Sequence, residues 1–258
     1  MLGGRHPRLI AQSIFEPRHY VALWRMLRLY PAFPRVAKRY FLGGGTYPYS
    51  CRVRTPTGMT APTIYSHHDV FTIHEVFGRE DYRADANLDV VVDVGSNIGI
   101  SALYFLTRNR TSRCYAFEPV PRNVFRLRAN LAGYEARYEL REVAVAATGG
   151  SVDFTVEPTG RYGGIGVAGA EHIRVTCEPV GKMLDSVLAR EDIIDVLKLD
   201  IEGAEVETLR AIPARQLARI RAIYFETRAP YNPAPDRFAM HFACETCRLV
   251  QKDRGEAR

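Results

Sequence analysis

Val91-Val92-Asp93-Val94-Gly95-Ser96-Asn97-Ile98-Gly99-Ile100-Ser101 is the stretch on which the fold turns. A continuous apolar run ends in Asp-x-Gly-x-Asn-x-Gly, and apolar residues continue at helical spacing through Leu106. The order is buried strand, glycine turn, helix, which opens a parallel α/β unit. A dinucleotide loop is spaced G-x-G-x-x-G so that a pyrophosphate can approach the backbone and rest on the helix N-terminus. Here that spacing is broken, and Asp93 sets a carboxylate where a phosphate would be repelled. The glycines still admit a ligand close to the turn, but one with positive charge and hydroxyl or amine donors.

Outward from this turn, strands alternate with helices. Asp89–Val94, Cys114–Phe117, Val143–Ala146, Val196–Leu199 and Ala222–Phe225 read as strands one to five, with helices over 98–106, 122–131 and 204–209. That order implies right-handed crossovers, a mostly parallel Rossmann-like sheet with helices on both faces, and a ligand at the carboxyl ends of the strands. Residues 151–156 and 173–177 predict a β-hairpin insertion. The glycine-rich Gly160-Arg-Tyr-Gly163-Gly164-Ile-Gly166 joins them as either a lid or a plain hairpin tip. Only 248–252 looks strand-like after the fifth strand, so the closing strand of the sheet is expected to be absent or supplied elsewhere. Upstream, residues 20–42 predict one or two amphipathic helices, Gly43-Gly44-Gly45 a hinge, and 46–75 a small β element. The domain division is a helical arm over 1–45 and a catalytic domain over 46–258.

S-adenosylmethionine meets the turn's requirement, having a sulfonium, an α-ammonium and no phosphate. Glu118, nineteen residues past Gly99 at the end of the second strand, is placed to accept both ribose hydroxyls. A third strand end, Val196-Leu-Lys198-Leu-Asp200-Ile-Glu202-Gly203, throws Asp200 and Glu202 toward the same crevice, where one of them would take a proton from a substrate hydroxyl. Glu205 is better explained by the dipole of the helix it opens.

At these residues the chain resembles class I S-adenosylmethionine-dependent methyltransferases of the FkbM family. The resemblance lies in DVGSNIGISALYF at 93–105, FEPVPRNVFRLRANL at 117–131 and VLKLDIEGAEVETL at 196–209. It implies O-methylation of a sugar, glycolipid, polysaccharide or polyketide hydroxyl, with Asp93, Gly95, Asn97, Gly99 and Glu118 lining the cofactor and Asp200 beside it.

An alcohol nucleophile needs an outlet for its proton, and histidine is the commonest base. Of His67, His68 and His74, the last is the first choice, since Glu75 would orient it. The catalytic candidates are thus His74, Asp200 and Glu202. A divalent metal on Asp200, Glu202 and Glu226 is the alternative activator, though no spacing demands one. Tyr162 and Tyr231 are candidate walls of an acceptor pocket, while Tyr224 and Phe225 sit in a strand and read as core.

Composition bounds the remaining readings. Residues 1–40 carry eight Arg/Lys against Glu16 alone, leaving 27 basic and 28 acidic residues elsewhere, so a nucleic-acid-binding main face is not expected. The basic arm is either a cap or, with Trp24, Arg25 and Arg28 at a lipid boundary, a peripheral membrane contact through residues 1–42. No run approaches the ~20 apolar residues of a membrane span, no secretory signal is seen, and the location reads as cytoplasmic. Five scattered cysteines suit reduced thiols, and Cys244-Glu-Thr-Cys247 lacks the second pair a zinc site needs. The oligomeric state stays open, a dimer being compatible with the sequence. Two rival functions remain at this level: a nicotinamide-dependent oxidoreductase on a similar scaffold, and a non-catalytic membrane-surface protein that uses the arm.

Overall fold

The computed structural model describes residues 24–156, 163–165, 171–243 and 245–252. The chain divides into two compact units, Met1–Arg83 and Ala84–Arg258. The first therefore takes in residues 46–83, which the sequence reading joined to the catalytic domain. The reason is packing: the Tyr40 ring of helix Phe33–Leu42 lies edge-on to Phe71 at 5.0 Å and to His74 at 5.1 Å, tying the arm to the segment that follows the small strands.

Within this unit residues 24–29 are helical, and helix Phe33–Leu42 begins with Pro34 in its first turn. It stops at Gly43, whose left-handed φ of 68° lets its N–H return to the Arg39 carbonyl. Strands β1 (Tyr49–Ser50) and β4 (Thr63–Ile64) pair antiparallel, as do β2 (Val53–Thr55) and β3 (Gly58–Thr60). The predicted β element ends there. Ser66 and Asp69 form a capping box that starts helix His67–Ile73, which runs into a π-helical turn at His74–Arg79. The three upstream histidines thus sit on a helix and not in a β element.

The second unit carries β5 (Val90–Val94), β6 (Arg113–Phe117), β7 (Tyr138–Arg141), β8 (Ala144–Ala146), β9 (Gly150–Val156), β10 (Gly163–Ile165), β11 (Glu171–Pro179), β12 (Ile194–Leu199), β13 (Ile220–Glu226), β14 (Phe238–Ala243) and β15 (Thr246–Gln251). Seven of them form the main sheet in the order β14-β15-β13-β12-β5-β6-β7, all running one way except β15, which is antiparallel to both β13 and β14. A second sheet, β10-β9-β11-β8, contains the predicted hairpin insertion.

Two expectations are corrected. The third strand of the main sheet is Tyr138–Arg141, while Ala144–Ala146 pairs with β11 in the smaller sheet. Ala144, Val145 and Ala146 are buried although β8 is the edge of the smaller sheet, whereas β7, the edge of the main sheet, is mostly half-buried and carries Glu139 and Arg141. The closing pair β14 and β15 is also present; β14 is apolar in five of its six residues yet buries only Phe238, so its sequence shows no alternation between a core face and a solvent face.

Alternation along the strands sends Val90, Val92, Val94, Tyr115 and Phe117 to one face, packed with Met183, Leu184 and Val187 of helix Val180–Leu188 and with Leu209, Leu217 and Ile223. Val91, Asp93, Cys114 and Ala116 therefore face the other way. Helix Ile100–Leu106 lies against β5 and β6 there, buried along its whole length, which accounts for its apolar character all round.

Candidate active site

Register brings the three motifs together. Leu199 of β12, Val94 of β5 and Phe117 of β6 are aligned partners, so Asp200, Gly95 and Glu118 leave the sheet at one level. With strands spaced ~4.8 Å, Asp200 and Glu118 emerge on the order of 10 Å apart and straddle the Gly95 turn. The sheet order reverses between β5 and β12, the switch point at which open α/β sheets take their ligands. Gly95 has a φ of 74°, and a Cβ there would stand 1.8 Å from the Asp200 carbonyl oxygen, so only glycine lets the two turns meet. The N–H groups of Gly95 and Ser96 both donate to the Phe117 carbonyl, at 3.0 and 3.1 Å.

Behind the turn lies a charged cluster that sequence reasoning did not assign. Lys198 is buried on β12 as the direct cross-strand partner of Asp93. Its Nζ is 3.0 Å from Asp93 Oδ1 and 3.3 Å from Asp200 Oδ2, and it donates to the Gly95 carbonyl at 3.0 Å. Burial alone would lower the lysine's pKa, but the two carboxylates outweigh it and hold the ammonium above its ordinary value. Ser101 Oγ donates to Asp93 Oδ2 at 2.6 Å, fixing the second oxygen from the helix side. Asp93 is thus held inside by an ammonium and a hydroxyl, while Asp200, 29% exposed at its side chain, forms the open side of the same ion cluster. The signal was available as a lysine set between two leucines near the end of a buried strand.

Glu118 is buried, yet each carboxylate oxygen is aimed by the backbone: Oε2 accepts from Asn97 N–H at 2.8 Å and Oε1 from Val120 N–H at 3.0 Å, with Asn123 Nδ2 at 3.3 Å. Desolvation pushes its carboxyl up to about 7, the hydrogen bonds opposing it. Asn97 holds a left-handed φ of 49°, which turns its N–H toward Glu118. Gly99, at φ 85°, begins helix Ile100–Leu106; a Cβ there would come 3.0 Å from Leu127 Cγ. Asn130 Nδ2 donates to the Ile98 carbonyl at 2.9 Å and ties the turn to helix Pro121–Asn130.

On the other flank, Glu202 and Gly203 adopt positive φ of 57° and 102° in the loop before helix Glu205–Arg210. Glu205 is buried and accepts from Ile201 N–H at 3.0 Å and Gly203 N–H at 2.9 Å, so it braces that loop, and burial raises its pKa. That agrees with a helix-start role. Glu226 ends β13 next to this row and is exposed. Among the described residues no group of three His, Cys, Asp or Glu side chains is arranged to hold a metal ion.

His74 lies in the N-terminal unit, buried in the π-helical turn, with Nδ1 lacking a hydrogen-bond partner among the described residues. Gly78 makes room for it, since a Cβ there would come 2.4 Å from that nitrogen. Desolvation, helped by Arg79, lowers the ring's pKa to about 4. Glu75, read as its orienting partner, lies 3.9 Å from Arg79. Tyr231 is half-buried against the core with Arg210 stacked on its ring, while Tyr224 and Phe225 are core as read. Tyr162, Cys244 and most of the glycine-rich loop lie outside the described residues. Cys51, Cys114, Cys177 and Cys247 are free and buried, and burial raises all four thiols, as unreactive cysteines require.

A doubly wound, mostly parallel sheet with acids gathered at its switch point defines a Rossmann-like domain. Comparison with known proteins says which kind. The methyltransferase FkbM domain matches residues 93–243, more than half of the chain. The chain therefore belongs to the FkbM methyltransferase family and is a methyltransferase. It is 27% identical over 204 residues to methyltransferase sdnD of Sordaria araneosa, covering 64% of this chain and 77% of that one. To the 31-O-demethyl-FK506 methyltransferase FkbM of Streptomyces tacrolimicus it is 25% identical over 208 residues, covering 67% and 80%. A 25% match to the AMB antimetabolite synthetase AmbE of Pseudomonas aeruginosa covers 67% of this chain but spans only 10% of that protein's length. The crystal structure of methyltransferase FkbM from Methylobacillus flagellatus KT aligns at 16% identity and TM-score 0.44, over 65% of this chain and 44% of that one. Membership in this family sets aside the oxidoreductase and non-catalytic alternatives.

Proposed function

We propose that the chain transfers a methyl group from S-adenosylmethionine to a hydroxyl of a sugar, glycolipid or polyketide-type acceptor. The observation that carries this reading is the row Asp200, Gly95, Glu118, backed by the Asp93–Lys198 pair. Its chemistry fits the donor. Two carboxylates against one ammonium leave the Asp93–Lys198–Asp200 cluster with one net negative charge, suited to a cation. Glu118 presents a carboxylate fixed by backbone donors, with lone pairs remaining for two ribose hydroxyls. The glycine turn allows close approach and offers no site that favours a phosphate. O-methylation is supported by the name of the Streptomyces tacrolimicus relative, a 31-O-demethyl-FK506 methyltransferase.

When bound, S-adenosylmethionine supplies an electrophilic methyl on sulfur. The residues of the chain orient and hold charge. Lys198 keeps Asp93 and Asp200 together without leaving two bare carboxylates side by side, and Glu118 fixes the nucleoside end. Asp200 is the carboxylate we assign to the hydroxyl proton, being the most open member of the ion cluster, with Glu202 as the neighbouring alternative. A carboxylate next to an ammonium is a weak base, so most of the rate gain must come from alignment of oxygen, methyl and sulfur. His74, with a pKa of about 4, would be an equally weak base. Asp200→Asn and His74→Gln separate the two, since loss of kcat measured at saturating donor marks the proton acceptor.

Calorimetric titration with S-adenosylhomocysteine, with NAD as comparison, tests the donor, and an acceptor screen with labelled methyl donor tests the reaction. Saturable S-adenosylhomocysteine binding much tighter than NAD is expected. A folded protein that binds neither, or prefers NAD, overturns the proposal.

A further inference from the structure

Between Glu16 and Asp69 the chain contains no acidic residue and eight basic ones. In that same stretch Trp24, Leu27, Phe41, Leu42 and Met59 are each between 49% and 55% exposed. Large apolar side chains so open to water, in a stretch whose charged side chains are all cationic, are not the usual solvated surface. On helix Phe33–Leu42 the outer face carries Arg35, Lys38, Phe41 and Leu42, all exposed, while Val36 is buried on the opposite side. Around residues 24–29 the same mixture is contiguous. The Arg28 guanidinium lies 4.0 Å over the Trp24 ring, and the Arg28 carbonyl accepts from Arg54 Nη1 at 2.9 Å. Arg54 in turn stands directly across from Met59 in the β2–β3 register.

We propose that these exposed apolar and basic side chains form one face of the N-terminal unit and that this face docks on an anionic lipid surface. Lipid supplies both complements at once, negative headgroups for the arginines and lysine, and an acyl boundary for the five apolar side chains. A nucleic acid would satisfy the cations but has no use for exposed Leu27, Leu42 and Met59. Arg28 stacked on Trp24 suits the boundary, with the indole at headgroup depth and the guanidinium reaching outward. Among the described residues no helix is long and apolar enough to cross a membrane, so the contact is peripheral.

Trp24 is the single tryptophan of the chain, so its fluorescence reports on this face alone. The full chain is titrated with mixed phosphatidylglycerol and phosphatidylcholine vesicles, with pure phosphatidylcholine vesicles, and with a mixed-sequence oligonucleotide. The expected result is a blue shift and co-sedimentation with the anionic vesicles, weak response to neutral ones, and loss on raising salt. The exposed-site double variant Phe41→Asp with Leu42→Asp should lose at least about tenfold in vesicle affinity with an unchanged circular dichroism spectrum, and Lys38→Glu should lose several-fold. No shift with anionic vesicles at low salt overturns the proposal. So does undiminished vesicle binding by the double variant, or oligonucleotide binding as tight as vesicle binding and indifferent to it.

Discussion

Lys198→Met is the perturbation that reads the site most directly. The wild-type ammonium is buried, 3.0 Å from Asp93 Oδ1 and 3.3 Å from Asp200 Oδ2. At an effective dielectric near 20 each contact is worth about 5 kcal/mol of gross attraction, most of it offset by desolvation. Methionine fills a similar volume, so the loss is chiefly electrostatic: Asp93, fully buried, keeps its charge with only Ser101 beside it. Removing one partner of a buried pair costs about 3–5 kcal/mol, which lowers Tm by about 6–20 °C in a chain of this size. The stranded carboxylate escapes by taking up a proton. Wherever the folded variant holds that proton and the unfolded chain does not, the variant's deficit shrinks as pH falls, by about 1.4 kcal/mol per unit. Adding Asp93→Asn removes the uncompensated charge, so the double variant should be more stable than Lys198→Met alone. Thermal and urea unfolding of the two single variants and the double variant at pH 7.5 and 5.5 completes the cycle. A loss below about 1 kcal/mol for Lys198→Met, or a deficit independent of both pH and Asp93→Asn, would refute the role given to the cluster.

Further outcomes follow from the same geometry. Glu118, pushed up to about 7, must be ionised to accept two hydroxyls, so S-adenosylhomocysteine affinity should be full above pH 7 and fall by up to about tenfold per unit below it. In calorimetry Glu118→Gln should weaken binding about 10–100-fold and flatten that profile; an unchanged profile would remove Glu118 from the site. Gly95→Ala drives a Cβ to 1.8 Å from the Asp200 carbonyl, so binding and thermal stability should both collapse, whereas Gly133→Ala, with nothing near its Cβ, should cost little beyond its φ strain. Chelator treatment should leave methyl transfer intact, since Asp200 already faces the Lys198 ammonium and Glu205 is engaged by backbone donors; loss restored by magnesium would contradict this. In the N-terminal unit, His74 has a folded pKa of about 4 against 6.5 for an open ring, so its stabilising contribution is whole above pH 6.5 and lost as pH falls toward 4. His74→Leu should flatten the acid limb of a stability titration across that window, and an unaltered limb would show that the ring titrates freely.

What the amino-acid order alone determined was periodicity and punctuation. A run of valines ending in Asp93-x-Gly95 states strand and turn in eleven residues, and the acids at 118 and 200 follow at strand ends because short-range patterning marks where a buried strand stops. Those features are local, so they are legible without coordinates. Tertiary structure decided which strands became neighbours. The polar edge strand Tyr138–Arg141 carries little apolar signal, and the edge strand Phe238–Ala243 is apolar without the alternation of a half-buried strand, so only the sheet's pairing identifies them. A local signal, the Ser66–Asp69 capping box, starts the helix of His67 and His68, and tertiary structure carried it on into the buried π-helical turn of His74. Above all it placed Lys198 across from Asp93. The two residues are 105 positions apart, and a charge becomes a tether only when register sets it beside its counter-charge in a space without water.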